Sequence, residues 1–247
     1  MSTYVYGIAG ADHPSLPDGM EGIGSPALTV RVVKAGSLAA LVSDAPENLR
    51  PKRRDLLAHQ NVLSEAGGGG TVLPMRFGSV AEDDAAVAAA LDERATHYEE
   101  RLAALSERVE YNVKVQHDEE AVLRTVMAEN ADVRALALSN RDAGGGSHED
   151  KLRLGEAVAK AVQAREAQDA EMVRTALEPQ ADDVSEAPGS TGWITNLSFL
   201  VDRASSERLL GAIEEIRQAV PHLVFRVNGP LPPYSFVEPA PAASNAG

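Results

Sequence analysis

The chain contains no cysteine. That excludes disulfides, thiol catalysis and cysteine-ligated metal, and it fits a cytosolic protein. Basic residues are scarce: Lys and Arg number 23 against 37 Asp and Glu, a net charge of −14. Neither nucleic acid nor an anionic membrane surface is expected as a partner of so acidic a chain. No apolar run approaches the roughly 20 residues that span a bilayer. The opening Met1-Ser2-Thr3-Tyr4 runs straight into a strand-like pattern, so no signal peptide is expected. Phosphate-cradling glycine motifs and nucleophile elbows are also missing. The glycine runs Gly67 to Gly70 and Gly144 to Gly146 read as flexible connectors.

The six histidines are His13, His59, His97, His117, His148 and His222. None stands three to five residues from another, so a metal site would need distant segments; no metal, cofactor or catalytic residue is expected. His59 shares a helical side with apolar residues. It reads as a core-edge histidine bonded to a backbone carbonyl rather than a general base.

What is present is a hydrophobic content of 44%, enough for a real core, in a length of 247 residues that suits one or two domains. Tyr4, Tyr6 and Ile8 alternate as a first strand. Ala11 to Pro26 is a loop rich in Gly, Pro and Asp. Leu28 to Ala35 and Leu38 to Ser43 form a hairpin across Gly36-Ser37. Pro51 to Ala66 reads as a helix burying Leu56, Leu57, Leu63 and Ala66. Thr71 to Phe77 is the central strand, with Pro74 at an edge, an end or a bulge. Arg76 lies between Met75 and Phe77; buried there, it would be an ion-pair partner or an anion clamp. A long helix is expected over Ala81 to Arg108.

At Tyr111 the apolar period changes from helical to two, so a domain boundary falls near Glu107. Glu119 to Glu129 and Glu149 to Leu177 are helices, and Asp182 to Gly192 is an acidic loop. Trp193 to Val201 is a strand, Ser205 to Val220 a helix, and Leu223 to Val227 a strand. The fold class is α+β. Residues 1–107 and 108–237 each form a small mixed or antiparallel sheet with helices, a modified ferredoxin-like unit. The second carries a helical insertion over 130–192, and 238–247 is a disordered tail. In Pro232-Pro233-Tyr234-Ser235-Phe236, an alternating edge segment would point Tyr234 and Phe236 the same way. Phe236 is expected to anchor the C-terminus, and Tyr234 to reach the surface for a partner.

Three segments together resemble the gas vesicle proteins of the F/L type. They are Leu57 to Leu63 (LAHQNVL), Val72 to Gly78 (VLPMRFG), and Asn196 to Arg203 (NLSFLVDR) followed by Gly229 to Phe236 (GPLPPYSF). Leu231 stands where that family usually carries a large aromatic between the prolines. The resemblance implies a non-enzymatic component or assembly factor of gas vesicles, located in the cytoplasm and on the vesicle. Its partner would be the small hydrophobic shell subunit, with other accessory proteins beside it, and no catalytic residues come with the family. The partner-binding residues expected are Leu231, Tyr234, Phe236 and Arg76. Rival readings are a ferredoxin-like small-molecule-binding module and a small hydrolase or transferase; a polar cleft shared by Arg76 and His59 would favour either.

Overall fold

The computed structural model describes residues 1–13, 16–187 and 192–238. Of the expected tail, only Glu238 falls within them. The chain divides into two compact units: Met1–Glu110 with Gly229–Gly247, and Tyr111–Asn228. The first unit therefore receives the chain twice. The segment from Gly229 onward belongs with it, not with the 108–237 block to which the linear reading assigned it.

In the first unit, β1 (Thr3–Gly10) lies between β3 (Leu38–Asp44) and β4 (Val72–Pro74), with β2 (Arg31–Ala35) outside β3 and β5 (Val80–Ala81) paired to β1. All these pairings are antiparallel. Ala35 faces Leu38, so Gly36-Ser37 is the two-residue turn expected, with Gly36 at φ +54°. Thr3 to Ala9 are all buried, because β1 is the inner strand of the sheet. Gly7 permits this packing: a Cβ there would fall 2.7 Å from Val72 Cγ1 and 2.8 Å from Leu63 Cδ2.

α1 (Arg53–Gly69) runs three residues beyond its expected end, so Gly67 to Gly69 continue the helix rather than serving as a connector. Its buried residues are Asp55, His59, Val62, Leu63 and Ala66. Leu56 and Leu57 point outward, 42% and 55% exposed, against expectation. The helical repeat explains the difference. Residues 55, 59, 62, 63 and 66 share one face, and 56 and 57 stand about 100–200° around from 55. The long helix expected over 81–108 is two helices, α2 (Asp84–Glu93) and α3 (Ala95–Ala104), meeting at Arg94. The core joins Tyr4, Tyr6, Leu41, Val62, Leu63, Ala66 and Val72.

The second unit places β7 (Asp183–Glu186), β8 (Thr195–Asp202), β6 (Arg108–His117) and β9 (Leu223–Leu231) in that order across its sheet. Counted from each sheet's first strand, both sheets share the order second, third, first, fourth, which is the ferredoxin-like order. The expected acidic loop contains β7, paired antiparallel with β8 from Asp183↔Leu200 to Glu186↔Leu197. Between β6 and β7 run α4 (Glu119–Glu129), α5 (Ala131–Asp142) and α6 (His148–Leu177). Ser147 and Asp150 form a capping box at the start of α6. Val122, Val126 and Val133 are buried against Leu154, Val158 and Val162. α7 (Ser206–Ala219) buries Leu209, Ile213 and Ile216.

One ion-pair network ties α2 to the sheet edge of the first unit. Arg31 donates through Nη2 (2.7 Å) and Nε (3.0 Å) to Asp84, and Thr3 Oγ1 donates to Asp84 at 2.6 Å. Arg31 Nη1 also meets Asp44 at 3.0 Å. The Arg31 and Thr3 hydrogen bonds hold the Asp84 carboxyl down from its ordinary 3.8 to about 2. A carboxyl lowered on folding stabilises the protein above its unfolded value, and the gain disappears as pH falls through the folded one. With 44% of the side chain exposed, screening limits the contribution to roughly 0.5–1 kcal/mol. Asp84→Asn is expected to lower stability by that much near neutral pH. Urea titrations at descending pH should show the gap to wild type closing between 3.8 and about 2; a gap independent of pH would refute the assignment.

Candidate functional site

In the first unit, β1 and α1 bring Tyr4 and His59 together behind the turn that succeeds β4. His59 is 4% exposed. Its Nδ1 lies 2.9 Å from Tyr4 Oη and its Nε2 lies 3.1 Å from the Met75 carbonyl. The Tyr4 hydroxyl also accepts from Gly78 N at 3.3 Å. Burial pushes the Tyr4 phenol above its ordinary range and the His59 imidazole below its own, so both are held neutral. His59 is thus the carbonyl-bonded core histidine expected, fastening the turn to β1 and α1.

That turn is shorter in sheet character than the sequence indicated. β4 ends at Pro74, and Met75 N gives the last pairing bond, to Tyr6 O at 2.8 Å. Pro74 has no N–H to offer and stands at the strand's end. Ser79 N and Oγ both donate to the Arg76 carbonyl, at 3.2 and 2.8 Å. Arg76 itself is exposed, so no buried partner is required, and no ion pair holds its guanidinium among the described residues. His59 is buried with both ring nitrogens engaged, so the two do not line a shared polar cleft.

The C-terminal segment of the first unit is clamped by its backbone. Arg101 donates from Nη2 to the Phe236 carbonyl (2.7 Å) and from Nε to the Val237 carbonyl (3.0 Å). Glu110, buried in the unit, accepts from Ser235 N and Oγ, both at 2.8 Å. Tyr234 to Phe236 form a single 3-10 turn, not an alternating strand. The consecutive prolines before it provide no N–H for a ladder, and Phe236 N turns back to the Pro233 carbonyl at 3.1 Å. Tyr234 and Phe236 therefore differ in environment. Phe236 is 4% exposed, while Tyr234 is half-buried against the Tyr4–Tyr6 cluster. Burial, reinforced by Glu110, pushes the Tyr234 phenol up to about 12. Leu231, at the end of β9, is half-buried.

The second unit holds a polar cluster that the sequence did not disclose. His117, Asp169 and His222 offer ligand atoms all within 4.8 Å of one another. His117 Nε2 and His222 Nε2 lie 2.9 and 2.8 Å from the same Asp169 Oδ2. Arg165 Nε reaches both carboxylate oxygens at 3.0 Å, and Arg165 Nη1 meets Glu129 at 2.7 Å. Burial raises the Asp169 carboxyl, but the bonds from Arg165, then His117 and His222, outweigh it and leave it below the ordinary carboxylate value. The signal for this cluster was Asp169 itself, one turn before Val173 on the buried face of α6. A carboxylate on an apolar stripe must find donors.

The family model for gas vesicle synthesis protein GvpL/GvpF matches residues 2–238. Gas vesicle protein F of Streptomyces sp. (strain CB03234) is 62% identical over 238 residues, 96% of this chain and all of that protein. Gas vesicle protein L of the same strain is 27% identical over 254 residues, spanning 94% of this chain and 91% of its own length. The crystal structure of GvpF from Anabaena sp. PCC7120 superposes with a TM-score of 0.75 at 26% identity, covering 97% of this chain and 99% of that one. GvpF from Microcystis aeruginosa gives 0.72 at 25%, with 96% and 99% covered. Matched over residues 2–238 in sequence, and in α+β architecture over 97% of its length, the chain belongs to the GvpL/GvpF family of gas vesicle synthesis proteins.

Proposed function

We propose that this protein is a non-enzymatic assembly factor. It binds the small, hydrophobic shell subunit of the gas vesicle and holds it back from aggregation until it joins the shell. Family membership over residues 2–238 is the observation that carries this reading. A subunit that forms β-structure and is strongly apolar exposes sheet edges and apolar faces before assembly, which is an aggregation hazard. A carrier with a net charge of −14 keeps such a complex in solution. The place of action is the cytoplasm and the vesicle surface, with other accessory proteins as further partners.

The first unit has surface suited to the task. Its core leaves out Leu56 and Leu57 on α1 and Val32 on the edge strand β2, all more than 40% exposed. In this reading Phe236 anchors the C-terminal segment, and Leu231, Tyr234 and Arg76 contribute contacts. Light scattering of the shell subunit, with and without equimolar protein, tests the function. Delayed or suppressed scattering is expected; identical curves would sink the proposal. Arg76→Glu is expected to weaken the protection at unchanged melting temperature, because the side chain is exposed and outside any ion pair among the described residues.

A further inference from the structure

We propose that His117, Asp169 and His222 form a binding site for one divalent transition-metal ion of the zinc class, with water completing the shell. Three elements converge to build it: the C-terminal end of β6, the buried face of α6, and the turn leading into β9. All three side chains are nearly inaccessible, at 7%, 2% and 5%.

The hydrogen bonding there is fully taken up. Asp169 Oδ2 faces three donors: His117 Nε2, His222 Nε2 and Arg165 Nε. Arg165 Nε lies as close to Oδ1, at 3.0 Å, so the two imidazoles occupy the two lone pairs of Oδ2. The other ring nitrogen of His117, Nδ1, is buried with no hydrogen-bond partner among the described residues. A cation between the two Nε2 atoms and Oδ2 takes the place of the two imidazole–carboxylate bonds. Each imidazole then presents a lone pair at Nε2 and carries its proton on Nδ1, and Arg165 keeps Oδ1.

Two of the three ligand separations come close to those around such an ion. Metal–ligand bonds of about 2.0–2.1 Å at tetrahedral angles separate ligand atoms by about 3.3 Å. The two N···O distances of 2.9 and 2.8 Å need to open by only about 0.5 Å to reach that separation. Charge also balances. Asp169 and Glu129 against Arg165 leave one net negative charge; a dication with a bound hydroxide brings the cluster to neutrality. Two imidazoles and one carboxylate select zinc-class ions over magnesium or calcium, which want all-oxygen shells. Histidine spacing could not reveal the site, because its members lie 52 and 53 residues apart.

The test uses the full chain, stripped with chelator, and zinc chloride near neutral pH. Calorimetry should show one zinc per chain, with no response to magnesium. Cobalt(II) should give the intense visible bands of a low-symmetry tetrahedral site. His117→Gln and His222→Gln each keep an N–H for Asp169 while removing a ligand, so the fold is retained. Each should weaken zinc binding by at least about tenfold and abolish the cobalt spectrum, with circular dichroism unchanged. Absence of saturable zinc binding, or equal affinity in wild type and both variants, would overturn the site.

Discussion

Phe236→Ala is expected to lower the stability of the first unit by about 3–5 kcal/mol, the cost of deleting a buried phenylalanine and leaving its cavity. The ring is 4% exposed, so little of that cost can be recovered by water. The backbone around it cannot readily collapse into the space. Arg101 grips the carbonyls of Phe236 and Val237, and Ser235 is held through both its N and Oγ by Glu110. Urea unfolding followed by circular dichroism should show a lower midpoint with an unchanged slope. Tyr234→Ala should cost less, since that ring is only half-buried against the same cluster. A neutral Phe236→Ala would mean that the last segment of the chain does not hold the first unit together. The effect is informative because the segment is separated in sequence from the rest of its unit by the whole of Tyr111–Asn228. Truncation before Gly229 should therefore damage the N-terminal unit rather than simply shorten the C-terminal one.

That dependence was invisible to a linear reading. The change of apolar period at Tyr111 located the onset of a strand within a few residues, and β6 begins at Arg108. α4 occupies the residues its period indicated, and α6 starts one residue early, at His148 behind its Ser147 cap. These are local patterns, and local patterns are what periodicity reports. Which unit a segment joins is decided by long-range packing. Nothing in Pro232-Pro233-Tyr234 announces Arg101 or Glu110 as its partners. Alternation also misled there, because a short apolar–polar–apolar run fits a strand and a single 3-10 turn equally well. On α1, Leu63, Ala66 and His59 are buried as expected, but counting Leu56 and Leu57 with them placed two exposed leucines on the buried face. The buried face contains Asp55 and His59, whose hydrogen bonds to Gly24 N and to Tyr4 and Met75 make their burial possible. The break at Arg94 has neither proline nor glycine to mark it, so the helical period ran through it unbroken.

Asp169→Ala should be the most damaging single change in the second unit, costing about 3–5 kcal/mol, as expected when one member of a buried charged network is removed. The substitution leaves the His117 and His222 Nε2 atoms facing a void and takes one of two carboxylate partners from Arg165. The loss is chiefly the desolvation left uncompensated, not the attraction given up. Asp169→Asn separates these contributions. It keeps the volume and one carbonyl acceptor, but its amide nitrogen must face another donor, and the charge opposite Arg165 is gone. It should fall between wild type and Asp169→Ala. A further comparison uses Arg165→Met together with Asp169→Leu, which removes both charges and fills the space with apolar groups. That pair should recover part of the loss, because the penalty for burying charge is removed along with the interaction. All measurements belong in chelator, so that hydrogen bonds and packing alone are read. If Asp169→Ala costs less than about 1 kcal/mol, within the range of an exposed ion pair, the carboxylate is not the buried centre on which β6, α6 and the approach to β9 converge.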